Sequence, residues 1–168
     1  MNVFVSYTRN KDAFNAVTEF CDHLANELSQ SAPGSALFQD KLFVSPSDPF
    51  PEKIAQKLSE ADILLILVSP AWLASSWCRK EYELFCADKA AQGQRPCLLP
   101  LLWVNTPALQ KDAGDPIARE LADIEHADFR DLRFESWDNP ELRRQVAKLA
   151  EISVTKVPEQ DRLRGQVP

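Results

Sequence analysis

The sequence predicts a doubly wound, flavodoxin-like α/β domain, in which helices cover both faces of a five-stranded parallel sheet. Short strand-like runs alternate with segments of helical periodicity roughly five times along the chain. The run ILLILV at residues 63–68 is continuously apolar, which is typical of a parallel strand buried on both faces. Hydrophobic residues make up 45% of the 168 positions and charged residues 26%, which is ordinary for one globular domain with its own core.

The first half of the chain contains two predicted strands and two predicted helices. VFVSY at residues 3–7 predicts the first strand, and ALFQ at 36–39 predicts the second. Residues 40–51 hold three prolines and predict a loop, after which Ile54 and Leu58 mark the inward face of a short helix. Spacings of three and four predict the helix between the two strands, with an inward face made of Phe14, Val17, Cys21, Leu24 and Leu28.

The second half continues the alternation. Residues 62–69 predict the third strand, and a helix follows with Ser75 or Ser76 as its N-cap. Residues 97–104 predict a fourth strand, in which Pro100 implies a bulge or a local break in the ladder. The remaining predicted elements are a helix from Asp115-Pro116 with Ile117, Leu121 and Ile124 inward, a short edge strand at 127–132, and a helix from Asn139-Pro140 with Leu142, Val146 and Leu149 inward.

We expect one domain at residues 1–153. Residues 154–168 are polar, include Pro158 and Pro168, and carry no apolar stripe. They are interpreted as a polar tail, or as a linker to a domain absent from this chain.

Composition argues against several classes of partner. The formal net charge is −6 and no basic cluster is present, so we expect no nucleic-acid partner. The longest apolar run, residues 63–68, is too short to span a bilayer, and no signal peptide is visible, so we expect a cytoplasmic protein without a membrane partner. The four cysteines lack Cys-x-x-Cys spacing and only two histidines are present, so we expect free thiols and no metal site.

Familiar catalytic motifs are missing from the sequence. The four glycines are scattered, which excludes the dinucleotide fingerprint and the phosphate-binding P-loop. A phosphorelay receiver would need acids after the first strand and at the end of the third, where Ser6-Tyr7 and Val68-Ser69 stand instead. The nucleophile elbow Gly-x-Ser-x-Gly is also absent.

Glu81 is the most informative residue, because helix geometry places it among apolar neighbours. At roughly 100° per residue, Trp77, Glu81, Leu84 and Phe85 share one arc of the predicted helix. Arg79, Lys80 and Glu83 occupy the opposite side. A carboxylate in an apolar arc must be hydrogen-bonded, raised in pKa or open to a cleft. Glu81 is therefore either the centre of a site or an acid at the margin of the stripe, paired with a nearby Arg or Lys.

Three stretches of this chain are similar to known signatures. They are VFVSYTR at residues 3–9, SPAW at 69–72 followed by SWCRKE at 76–81, and LPLLW at 99–103. The first two resemble the first and second signatures of Toll/interleukin-1 receptor (TIR) domains, and the third resembles a characteristic strand of that family. The resemblance covers roughly residues 2–152. It implies one of two activities, since many TIR domains cleave NAD⁺ between nicotinamide and ribose while others act only as assembly modules.

The resemblance also implies site residues. Glu81 matches the essential acid of the NAD⁺-cleaving members, and the substrate-binding candidates are Tyr7, Arg9, Asp40, Phe50, Ser69, Trp72 and Trp77. Ser69 either contacts the ribose or phosphate or simply ends the third strand, and Trp72 either lines the pocket or anchors the loop. Cys78 matches a motif cysteine but faces inward, so it is interpreted as a core residue.

The loop at residues 41–51 departs from the family pattern. Family members usually carry a glycine before the aromatic residue that stacks on the base, whereas SDPFP at 47–51 places Pro49 there. A stiffer loop is expected, because proline fixes φ. Phe50 is therefore either a ligand contact or a residue that packs under the loop.

A single carboxylate suits the chemistry that the resemblance implies. Nicotinamide leaves NAD⁺ as a neutral pyridine, so the general acid that protonates the leaving group in ordinary glycoside hydrolysis is unnecessary. Positive charge growing on the ribose can be stabilised by one ionised carboxylate in a water-poor pocket. NAD⁺ is then the substrate and no cofactor is expected.

The leading hypothesis is an NAD⁺ glycohydrolase or ADP-ribosyl cyclase, activated by self-assembly in bacterial anti-phage signalling. Expected partners are NAD⁺, other TIR copies in a homo-oligomer or filament, and a sensor domain fused C-terminally. Two alternatives stay open. One is a non-catalytic adaptor acting through TIR–TIR contacts, and the other is a factor that interferes with a host's TIR signalling.

Overall fold

The structure, a computed structural model, describes residues 1–8, 11–39 and 51–157, without the side chains of residues 11–14. Its strands are β1 Asn2–Ser6, β2 Ala36–Gln39, β3 Ile63–Val68, β4 Leu98–Leu102 and β5 Ala127–Asp128. Its helices are α1 Lys11–Ser31, α2 Glu52–Glu60, α3 Pro70–Ala74, α4 Ser76–Ala91, α5 Pro116–Asp123 and α6 Pro140–Lys156, with a 3₁₀ turn at Leu132–Phe134.

The five strands form one parallel sheet in the order β2-β1-β3-β4-β5. Strand β3 lies at its centre, and all six of its residues are buried. This explains the unbroken apolar run, because both faces of the central strand are covered by helices. The predicted doubly wound α/β class is confirmed.

Side chains alternate between two cores along each strand. Val3, Val5 and Tyr7 pack with α1 and α6 on one face of the sheet. Phe4 packs with α2, α4 and α5 on the other face. By the same alternation Ser6, at the end of β1, points towards the α4 face, and its side chain is fully buried.

The predicted inward faces of the helices are confirmed where their side chains are described. Buried residues include Val17, Cys21, Leu24 and Leu28 of α1, Ile54 and Leu58 of α2, Ile117 and Leu121 of α5, and Leu142, Val146 and Leu149 of α6. The side chain of Phe14 lies outside the described residues, and Ile124 is half-buried just after α5.

Strand β4 shows neither the bulge nor the local break in the ladder that was expected at Pro100. Strand β4 pairs with β3 in continuous register from Leu98 to Leu102, with Pro100 opposite Ile66. The amide of Trp103 donates to β3 and the carbonyl of Leu102 accepts from the β5 side, so residues of even number face β5. Among the described residues, strand β5 pairs only with Leu101 and Leu102. The backbone nitrogen of Pro100 faces the β5 side, where the described residues place no strand opposite it. The missing N–H of proline therefore costs the ladder no hydrogen bond.

Strand β5 and helix α6 differ in their bounds from the sequence-based expectation. Strand β5 covers only Ala127–Asp128, a shorter edge strand than the predicted 127–132. Helix α6 continues to Lys156, and Val157 is buried in the core, so the expected domain boundary at residue 153 falls inside this helix. Within the described ranges, no helix combines the length and apolar character that crossing a membrane requires.

Candidate active site

Helix α4 delivers Glu81 to the carboxyl end of the sheet. Strand β3 ends at Val68, the short helix α3 follows, and the Ser75 side chain accepts a hydrogen bond from the Cys78 amide to start α4. This settles the N-cap between the two predicted serines in favour of Ser75. Glu81 then lies one and a half turns into the helix and is only 2% exposed. The prediction that it faces inward is confirmed.

Both carboxylate oxygens of Glu81 accept hydrogen bonds. The Ser6 hydroxyl donates to Oε2 at 2.5 Å. The Trp77 indole Nε1–H, one turn earlier on α4, donates to Oε1 at 3.1 Å. Hydrogen bonds to a carboxylate favour its ionised form and offset the cost of burying charge. Glu81 is therefore held by donors from two different elements.

Ser6 is itself held by a second indole. Trp72 Nε1 donates to the Ser6 hydroxyl oxygen at 3.0 Å. Trp72 lies on α3, and its side chain is fully buried. Ser6 of β1 and Trp77 of α4 thus contact the carboxylate directly, and Trp72 of α3 is linked to it through Ser6.

Tyr7 lies next to this group on the opposite face of β1. Its phenol oxygen accepts a hydrogen bond from Gln39 Nε2 at 3.2 Å, and the same amide donates to Thr18 Oγ1 at 3.1 Å. Its carbonyl oxygen accepts from the Cys78 thiol at 3.6 Å. Cys78 is 2% exposed, which agrees with its interpretation as a core residue. These contacts fix the end of β1 against both β2 and α4.

Ser69 ends β3 and caps α3, because its hydroxyl oxygen accepts the Trp72 amide hydrogen at 3.0 Å. In this structure Trp72 anchors that turn and contacts Ser6. Substrate contact by Ser69 and Trp72 stays a prediction. Arg9, Asp40 and Phe50 lie outside the described residues, as does the loop at 41–50, so their predicted roles stay predictions too.

The sequence places Arg79 on the solvated side of the predicted helix, whereas in the structure it has specific partners. Its guanidinium forms two hydrogen bonds to the Asp115 carboxylate, at 2.6 and 2.9 Å, and a third to the Leu73 carbonyl at 3.1 Å. The hydrogen bond from Arg79 lowers the pKa of Asp115 to about 2. The start of α4 is therefore tied to α3 and to the N-terminus of α5.

Sequence reasoning did not assign Ser6 and Gln39 to the site. Alternation along β1 could have indicated the direction of Ser6, because residues 4 and 6 face the same side of the strand and Phe4 is a core residue. A serine on an inward position at the carboxyl end of a strand needs a polar partner. Nothing in the sequence names that partner, which lies 75 residues further along the chain.

A concavity of about 770 Å³ lies at the other end of the sheet, next to Asn2, Lys89, Cys97 and Lys156. Lys89 and Lys156 stand in the last turns of α4 and α6, where positive charge offsets the helix dipole. These two lysines thus have a structural explanation. The convergent polar groups around Glu81 make the carboxyl end of the sheet the better candidate, in agreement with the general rule for such folds.

Comparisons with known proteins agree with this architecture. A family model described as a TIR domain matches residues 3–146. The TIR domains of the activated Roq1 resistosome, which directly recognises the pathogen effector XopQ, are similar with a TM-score of 0.58 at 17% identity, over 88% of this chain and 97% of that chain. The TIR domain of the Toll-related receptor TRR-2 from Hydra magnipapillata is similar with a TM-score of 0.54 at 14% identity, over 91% of this chain and 97% of that chain. No curated protein matches this chain.

Proposed function

Because the chain belongs to the TIR domain family, we propose that it cleaves NAD⁺ between nicotinamide and ribose, as a glycohydrolase or an ADP-ribosyl cyclase. The observation that carries this proposal is the buried carboxylate of Glu81, which Ser6 and Trp77 hold through both oxygens. Family membership by itself supports either an enzyme or a scaffold. The preformed carboxylate favours the enzyme.

The reaction requires little from the protein beyond this group. The bond between C1′ of the ribose and the pyridine nitrogen breaks, and its electron pair stays on nicotinamide, which leaves neutral. Glu81 stabilises the positive charge that grows on the ribose, directly or through the ribose hydroxyls. Water then attacks C1′ and releases a proton to give ADP-ribose, or a base nitrogen attacks to give a cyclic product.

We assign NAD⁺ binding to the side chains around this carboxylate. Trp77 borders Glu81 directly, and Tyr7 lies at the same end of β1. Arg9, Asp40, Phe50 and Ser69 complete the proposed pocket on the strength of the family resemblance. NAD⁺ is the substrate in this scheme, and no additional cofactor takes part.

We further propose that copies of the chain assemble, as a homo-oligomer or filament, and that assembly activates the enzyme in cytoplasmic bacterial anti-phage signalling. The similarity to TIR domains of a resistosome supports assembly. A sensor domain C-terminal to α6 would couple assembly to infection.

Incubation with NAD⁺ tests the enzymatic proposal. Wild-type protein, free and artificially clustered, should release nicotinamide, measured by HPLC with mass spectrometry of the second product. Glu81→Gln should lower the rate by a factor on the order of 10²–10³. Glu83→Gln is the matched control, because Glu83 is exposed on the same helix and should leave the rate unchanged. Equal nicotinamide release from wild type and Glu81→Gln would remove Glu81 from the mechanism.

The alternative function is a non-catalytic scaffold that acts through TIR–TIR contacts. The resistosome neighbour is an assembled TIR structure, which is the observation that favours it. A clustered sample that assembles but releases no nicotinamide would support the scaffold. In that case the same preparation should capture other TIR domains, including those of a host.

A further inference from the structure

We propose that Ser6 is a positioning residue that fixes the orientation of the Glu81 carboxylate, and that Trp72 acts on the reaction through Ser6. This inference rests on the proposed function. It assigns a role to Ser6, which the family resemblance did not include among the site residues. It also gives Trp72 a role other than substrate contact. The three side chains form a chain of hydrogen bonds from α3 through β1 to α4.

The direction of the hydrogen bonds follows from the chemistry of the three groups. An indole N–H can only donate, so Trp72 must occupy a lone pair of the Ser6 oxygen. The serine hydroxyl has one proton, and the Glu81 oxygen at 2.5 Å is its acceptor. Trp72 thus occupies one lone pair of the Ser6 oxygen, while the single hydroxyl proton of Ser6 is donated to the carboxylate. Linked bonds of this kind strengthen one another when buried.

Burial makes the arrangement rigid. Ser6 and Trp72 are fully buried, and Glu81 is 2% exposed. The backbone of Ser6 is held in β1, which pairs with β2 and β3. The hydroxyl therefore holds Oε2 from the sheet while Trp77 holds Oε1 from within α4.

The consequence for catalysis is orientation of the carboxylate. Loss of the Ser6 hydroxyl leaves Oε2 and the Trp72 indole without their shared partner, and the carboxylate can rotate about its last bond. Small displacements of a catalytic group cost on the order of 100-fold in rate. Substrate binding by other side chains is unaffected, so kcat should fall while KM stays nearly constant.

The kinetic test uses Ser6→Ala, Ser6→Thr and Trp72→Phe, each with Glu81 and with Glu81→Gln. Ser6→Ala should lower kcat on the order of 100-fold, Ser6→Thr should recover part of the loss, and Trp72→Phe should also lower kcat. Neither Ser6→Ala nor Trp72→Phe should add a loss once Glu81 is Gln, because both act through that carboxylate. Wild-type kcat in folded Ser6→Ala, or an additive loss, overturns the proposal.

Matched controls separate positioning from general destabilisation. Ser153 is buried and its hydroxyl bonds the Leu149 carbonyl at 2.8 Å, far along the chain in α6. Trp103 is a buried indole in the opposite core. Ser153→Ala and Trp103→Phe should leave kcat unchanged, and losses equal to those of the Ser6 and Trp72 variants would assign the effect to folding.

An NMR measurement tests the hydrogen-bond chain independently of activity. The four tryptophans give four indole ¹H–¹⁵N signals. Glu81→Gln should shift the Trp77 signal directly and the Trp72 signal through Ser6, while Glu83→Gln should shift neither. An unmoved Trp72 signal in Glu81→Gln overturns the inference. If the wild type releases no nicotinamide but Trp72 does shift, the enzymatic proposal fails and the coupling between Trp72 and Glu81 stands.

Discussion

The guanidinium of Arg79 grips both carboxylate oxygens of Asp115, at 2.6 and 2.9 Å, across 36 positions of the chain. Asp115 is also the N-cap of α5, since its side chain accepts the Ile117 amide hydrogen. Arg79 stands two residues before Glu81 on α4. One ion pair therefore joins the helix that carries the candidate catalytic residue to the start of α5.

The Arg79–Asp115 pair should make the stability of the protein depend on pH in the acid range. The hydrogen bond that Arg79 donates lowers the pKa of Asp115 from 3.8 to about 2. A lowered folded pKa contributes stability above the unfolded pKa, and that contribution is lost as pH falls from about 4 towards 2. Asp115→Asn keeps a capping side chain but loses the ion pair, at about 0.5–1 kcal/mol near neutral pH for this partly exposed pair.

Urea unfolding at pH 7 and pH 3 measures this effect. The gap in stability between wild type and Asp115→Asn should narrow at the lower pH. Asp115→Ala should cost about 1 kcal/mol more than Asp115→Asn, because it also removes the cap. A gap that is the same at both pH values would contradict the assigned role of Arg79.

Ser75 and Ser76 should differ in their effect on α4. The Ser75 side chain accepts the Cys78 amide hydrogen, whereas Ser76 is exposed in the first turn. Ser75→Ala should lower the unfolding free energy by about 0.5–2 kcal/mol, and Ser76→Ala by a few tenths at most. Thermal unfolding of the two variants side by side tests the cap, and equal losses would show that Ser75 has no special role.

Tyr82 should resist ionisation in the folded protein. Burial raises its pKa, and its hydrogen bond to Glu120 raises it further. A raised folded pKa gives stability that is full below the unfolded value near 10 and is lost as pH rises above it. Absorbance at the phenolate band should therefore reveal Tyr82 only as the protein unfolds in alkali. Glu120→Gln should lower the pKa, and an unchanged titration in that variant would rule out the Glu120 contribution.

The central strand should dominate the stability of the sheet. Leu65 is fully buried in the middle of β3, whereas Phe134 is 74% exposed. Leu65→Ala should cost about 2–5 kcal/mol of unfolding free energy, through lost burial and the cavity left behind. Phe134→Ala should change it by less than about 0.5 kcal/mol, as is usual for surface positions. Chemical unfolding of both variants compares them, and similar losses would contradict the burial pattern.

Much of the fold could be predicted because its signals are local. The apolar run at 63–68 predicted the central strand, and spacings of three and four predicted the inward faces of the helices. The prediction at Pro100 was wrong, because local rules place a bulge or a break in the ladder there. The ladder is intact because β5 is too short to reach that position, which no local pattern reveals.

The candidate site divides in the same way. Periodicity along α4 placed Glu81 on the inward side next to Trp77, because both lie on one helix. Periodicity could not predict the contacts of the Ser6 hydroxyl or of the Trp72 indole bonded to it, because these residues lie on β1 and α3. It also could not predict that Arg79, expected on the solvated side of the helix, pairs with Asp115.

Hydrophobic period and motif spacing are properties of neighbouring residues, so they predict the parallel sheet, the inward direction of Glu81 and the resemblance on which the proposed chemistry rests. The groups that surround that carboxylate come from distant parts of the chain and follow from the tertiary fold alone. Ser6 meets Glu81 across 75 positions and Trp72 meets Ser6 across 66. These contacts depend on the parallel pairing of β1 with β3, which places the carboxyl end of β1 beside the helices that follow β3.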